Sequence, residues 1–99
     1  MLKYEKFKKY EVPPESIGFD EISGENYKFI FQNGYGASVV KSIGSYGYEQ
    51  GLYELAVLIK ENDNNYELCY DTSITDNVLG YLTNNEVLEI LEKIKNLKE

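Results

Sequence analysis

The stretch YKFIFQNGYGASVV, Tyr27–Val40, decides the fold. Tyr27, Phe29 and Phe31 alternate with Lys28, Ile30 and Gln32, the period of two that gives a strand one aromatic face. Asn33-Gly34 follows, a dipeptide that favours a type I′ hairpin turn, in which both central residues take positive φ. Ala37–Ile43, with β-branched Val39 and Val40, then reads as the returning strand. Gly34-x-Gly36 behind a strand also matches the start of a nucleotide-binding loop. A dinucleotide fingerprint needs a third glycine and a helix after it, whereas Val39 holds that place and strand-like residues follow. No Gly-Lys-Ser/Thr is present to close a phosphate loop, and a kinase fold does not fit in this length. The stretch therefore reads as a hairpin with Tyr35 at its tip.

Outward from the hairpin, Gly44–Gly51 is a glycine-rich loop. Leu52–Lys60 is a third strand, with Tyr53, Leu55, Val57 and Ile59 on one face and Ala56 and Leu58 on the other, the pattern of a central strand covered on both sides. Glu61–Asn65 has turn composition, and Tyr66–Asp71 forms a fourth strand. Ser73–Leu82 is expected to hold one short helical turn. Thr83-Asn84-Asn85-Glu86 is a capping box. It opens a helix whose apolar stripe is Val87, Ile90, Leu91, Ile94 and Leu97. Upstream, Tyr4, Phe7 and Tyr10 recur every three residues, as on one side of a short helix. Pro13-Pro14 ends that helix, and Ser16–Ser23 reads as either a loop or a short strand.

Short connections force antiparallel pairing. The expectation is an α+β fold: an antiparallel four-stranded β-meander with a C-terminal helix packed on one face. The whole chain, 1–99, is one domain. It comprises an N-terminal extension over 1–25, the meander over 26–72 and the helix over 83–98.

The chain of 99 residues is 42% hydrophobic, enough for one core. It has no histidine and no arginine, and one cysteine, Cys69. Histidine-based catalysis, an internal disulfide and a cysteine-based metal site are thereby excluded. Ten lysines face seventeen acids, a net charge of −7. Such a chain is repelled by bare nucleic acid and anionic membranes, and is drawn to basic protein surfaces. The acids concentrate in residues 11–27 and 61–76. No apolar run reaches membrane-spanning length and no signal-peptide h-region follows the basic N-terminus, so the expected location is cytoplasmic.

Little here resembles catalytic machinery. Asp71–Asp76 and Asp63–Asn65 bring oxygens together without an EF-hand pattern, and read as backbone-capping turns. Glu54 and Glu67 would make a carboxylate pair if their strands were neighbours. Cys69 reads as a small buried side chain. Neither a metal nor a cofactor is expected. The tyrosines carry more information: there are ten, with no tryptophan. Tyr27, Tyr53, Tyr66 and Tyr70 fit half-buried strand positions. Tyr35, Tyr46 and Tyr48, placed on turns beside Glu49, fit a partner-binding surface.

NGYGASVV, GSYG, LYELAVL and LCYDTSITDNVLGYLTNNEV together resemble a family of small phage and prophage proteins without an established biochemical activity. The resemblance runs from about Tyr27 to Val87. It implies an accessory protein acting in the cytoplasm of a host bacterium, with no catalytic residues to carry over. By analogy, small acidic phage proteins often inhibit host defence, as anti-CRISPR proteins do. The leading expectation is a non-enzymatic protein that binds a bacterial host protein with a basic nucleic-acid-binding surface, without contacting nucleic acid or membrane itself. The alternatives are a small-ligand or metal binder, or an enzyme, using the glycine loop and Asp71–Asp76, and a homo-oligomer formed through an edge strand.

Overall fold

A computed structural model describes residues 2–13, 24–62, 65–75 and 78–98. Six strands form one antiparallel sheet: β1 (Glu11–Val12), β2 (Gly24–Ile30), β3 (Tyr35–Ser42), β4 (Tyr53–Asn62), β5 (Asn65–Leu68) and β6 (Leu79–Leu82). The order is β1-β2-β3-β4-β5, with β6 also on β4. The helix α1 (Asn84–Lys95) packs on one face, so the α+β class holds. Among the described residues the strands number six rather than four.

Both additional strands have a physical reason. β1 is two residues that pair with Lys28 and Phe29 of β2. β5 and β6 lie along the same edge of β4: Leu68 faces Leu58, the Cys69 amide reaches the Val57 carbonyl, and Leu82 faces Tyr53. They are two pieces of one edge partner, split by the excursion between them. Leu79–Leu82 is therefore strand where a helical turn was expected. The Ser16–Ser23 segment, and most of the Asp63–Asn65 turn, lie outside the described residues.

The N-terminal residues belong to the core. Glu5–Tyr10 is a 3-10 helix, with three residues per turn, so side chains three apart stand above one another at intervals of about 6 Å. Alternate residues of a strand are separated by about 6.7 Å. The two periods nearly match, and the stripe of Tyr4, Phe7 and Tyr10 lies along the aromatic face of β2. Tyr4 meets Tyr27 and Phe29 edge-on at 5.2 and 5.4 Å, Phe7 meets Phe31 at 6.3 Å, and Tyr10 meets Phe31 at 5.0 Å. Phe7, Phe29, Val39, Leu55 and Leu91 are fully buried. On the opposite face of β4, Ala56 and Leu58 are buried too, as its two-sided pattern requires.

The hairpin is present but its turn differs from the expected type. Gly34 has φ +89°, whereas Asn33 is not in the positive region. The Gly34 amide donates to Phe31 and the Phe31 amide to Tyr35. This is the three-residue connection that ends on a left-handed glycine. Gly36 keeps a normal φ; a Cβ there would strike the Phe29 carbonyl. Asn33 is spent elsewhere. Its Nδ2 donates to the carbonyls of Ile94, Lys95 and Leu97 at 2.8, 3.1 and 3.0 Å, while its Oδ1 accepts from the Tyr35 amide at 3.0 Å. It caps the open carbonyls at the end of α1 from across the molecule.

The helix start is built as its sequence indicates. The Glu86 amide donates to Thr83 Oγ1 at 3.2 Å, and the Thr83 amide donates to Glu86 Oε1 at 2.9 Å. Val87, Leu91 and Ile94 are buried, and Ile90 and Leu97 pack partly against the core. Asn84 exchanges two hydrogen bonds with the Lys3 backbone. Side chains thus hold α1 to other elements at both ends.

Candidate functional site

Tyr35, Tyr46, Tyr48 and Glu49 do not form one surface. Tyr35 shares the parity of Ala37 and Val39, so its ring lies on the helix side of β3, half-buried against the core. Tyr46, Tyr48 and Glu49 follow the other end of that strand, seven residues or roughly 23 Å away.

The loop residues do converge, on a partner that the sequence reading had passed over. Ile43, Gly44, Tyr46, Tyr48, Glu49 and Tyr81 line a shallow depression of about 310 Å³. Tyr81 comes from β6. Its ring lies nearly parallel to that of Tyr46, with centroids 6.5 Å apart and planes at 23°. Tyr46, Tyr81 and Ile43 are 57%, 59% and 63% exposed. Three exposed apolar side chains in one place, more than half of each open to water, form one exposed apolar patch rather than scattered residues.

The geometry is tightly held. The Tyr81 amide donates to the Tyr46 carbonyl at 3.4 Å, and the Tyr46 amide to Glu54 Oε1 at 2.9 Å. Gly80 lets the two segments lie flush, since a Cβ there would sit 2.5 Å from the Tyr46 Cβ. Tyr81 adopts φ +58°, alone among the described non-glycine residues. A bulky aromatic residue in the left-handed region is strained by roughly 1–2 kcal/mol. A signal was available in the sequence: Gly80-Tyr81 repeats the pairing of glycine with tyrosine seen at Tyr46-Gly47-Tyr48.

The patch lies on the acidic half of the chain. Residues 42–92 carry ten acids and a single lysine, Lys60, while the rest carries nine lysines and seven acids. Among the described residues, lysines lie over Phe7, Tyr4, Tyr10 and Tyr53, and none over Tyr46 or Tyr81.

A second polar cluster is structural in its chemistry. Glu25 Oε1 accepts from the Tyr27 hydroxyl at 2.5 Å, the Tyr53 hydroxyl at 3.0 Å and the Leu2 amide at 3.1 Å. Its Oε2 lies 3.1 Å from Lys41 Nζ. Burial works against the charge, but the bonds from Tyr27, Lys41 and Tyr53 prevail and hold the carboxyl down at about 2. Burial, and next the bond to Glu25, push the Tyr27 hydroxyl up to about 12 and Tyr53 higher still. The cluster ties the N-terminal segment to β2, β3 and β4.

The other candidates stay apart. Glu67 faces Ile59, so no pair forms with Glu54; Glu61 is instead the neighbour that raises its pKa. Thr72 Oγ1 accepts from the Ile74 and Thr75 amides, a local turn cap. Asp71 accepts from Cys69, whose thiol is pushed up by burial, and Asp76 lies outside the described residues. Among the described residues no three His, Cys, Asp or Glu side chains are placed to hold a metal ion. No helix there is long and apolar enough to cross a membrane. Fold and surface together define a small α+β domain with an exposed tyrosine pair. No family model, curated protein or solved structure matches the chain significantly.

Proposed function

We propose that the chain is a non-enzymatic accessory protein of a phage or prophage. It binds a bacterial host protein through the Tyr46–Tyr81 patch, and inhibits a defence complex in the manner of an anti-CRISPR protein. The observation that carries the binding reading is the exposed, nearly parallel tyrosine pair held at a strained backbone position. Folding alone favours neither exposed aromatic rings nor a left-handed tyrosine, whereas an interface gains from rigid aromatic anchors. The acidic surround supports a partner with a basic, nucleic-acid-binding surface, reached by electrostatic steering. The block resemblance supports the phage setting and the host cytoplasm.

The test is paired capture and plaquing. The wild-type chain, expressed in a defended bacterium, is expected to retain one identified defence component and to restore phage plaquing. Tyr46→Ala with Tyr81→Ala is expected to lose both. Restored plaquing by a folded double variant would refute the assignment of the patch.

A further inference from the structure

Resting on the reading of this patch as an interface, we infer that the Tyr46–Tyr81 pair is an arginine-binding site, a stacking surface for a guanidinium presented by a protein partner. Ring centroids 6.5 Å apart lie near the outer limit at which aromatic rings hold one another directly. The rings are held nearly parallel, so a planar cation can stack on their open faces. Both are more than half exposed, so the faces are within reach of a side chain from solvent.

The surround selects a cation. Glu49 lines the depression, and Glu54 is bound to the Tyr46 amide through one oxygen. A carboxylate oxygen offers two lone pairs, so both residues can accept from a guanidinium. No lysine occurs between Lys41 and Lys60, and the chain contains no arginine. Lysine ammonium groups lie over four other rings of the molecule and over neither of these two. The patch thus combines aromatic faces, carboxylates and no internal cation.

Planarity separates arginine from lysine. A guanidinium stacks flat on aromatic faces while its edge donates to carboxylates. An ammonium is compact and strongly hydrated, and makes no flat stack on an aromatic face.

The experiment uses the full chain with ¹³C-labelled tyrosine rings, titrated with capped Gly-Arg-Gly, Gly-Lys-Gly and Gly-citrulline-Gly. Citrulline keeps the planar shape and lacks the charge. The expected result is saturable shifts of the Tyr46 and Tyr81 rings with the arginine peptide, in the millimolar range for so small a ligand. Affinity is expected to be at least threefold weaker for lysine and for citrulline. Glu49→Gln, which leaves the rings in place, is expected to weaken arginine binding severalfold. Equal affinity for lysine, or unmoved Tyr46 and Tyr81 signals, overturns the arginine assignment. If the double alanine variant loses its host partner while the arginine peptide fails to bind, the arginine assignment is wrong and the interface stands. If the peptide binds and a folded double variant still holds the partner, the interface reading is the one that falls.

Discussion

Replacing Glu25 with glutamine takes a negative charge from beneath two tyrosine hydroxyls, a lysine and a backbone amide, with almost no change of shape. The carboxyl sits at about 2 in the fold against 4.5 as its ordinary value. A depressed carboxylate adds stability that is present above its unfolded pKa and is lost as pH falls through its folded one. The window here runs from about pH 4.5 down to about pH 2. With each pKa unit equal to about 1.4 kcal/mol, the whole shift corresponds to roughly 3 kcal/mol at neutral pH. About 2 kcal/mol of this disappears between pH 7 and pH 3 by the same linkage. The side chain is only about one-fifth exposed, so solvent screening takes a minor share. Urea unfolding of the wild type and Glu25→Gln at pH 7, 5, 4 and 3 provides the assay. The stability gap between them should shrink by about 2 kcal/mol across that series. Taking the difference cancels the titration of the other acids. A gap that stays constant with pH would show that the carboxyl titrates normally in the fold, and would refute the clamp. On the alkaline side the sign reverses: the neutral Tyr27 hydroxyl adds stability below pH 10, lost as pH climbs towards about 12.

Three further outcomes are expected. Asn33→Ala strips the cap from the end of α1 and should lower stability by about 2 kcal/mol, seen as a melting temperature lower by roughly 10 °C; an unchanged melting curve would contradict the cap. Thr83→Ala removes half of the capping box and should lower stability by about 1 kcal/mol in the same assay, with Thr83→Ser close to wild type. Tyr81→Gly relieves the left-handed strain, so stability should hold or rise by up to about 1 kcal/mol while partner capture fails; a clear loss of stability would mean that the ring supports the fold.

The helix was legible because its signals are local: a capping box four residues wide and an apolar stripe at helical spacing. The three central strands were legible for the same reason. The turn type was not, because Asn33 answers to carbonyls some sixty residues further along the chain. β6 escaped because Leu79–Leu82 is only four residues, contains a glycine, and is strand only through its partner β4. That omission hid Tyr81, half of the exposed pair. Tyr35 could have been placed: counting by twos from Val39 puts it on the core face, and the expected hairpin tip drew attention away from that alternation.

The split edge of the sheet has a bearing on how the molecule can vary. β5, with Cys69 just beyond it, and β6 are each registered to β4 by their own pairing. Residues can be gained or lost in that excursion while both anchor points keep their place, because lengthening a loop adds little entropy cost. The Tyr46–Tyr81 pair stands at the β6 anchor, so its spacing is insulated from such changes. The excursion is where a chain of this kind can diversify, or accept a grafted peptide, with its contact surface intact.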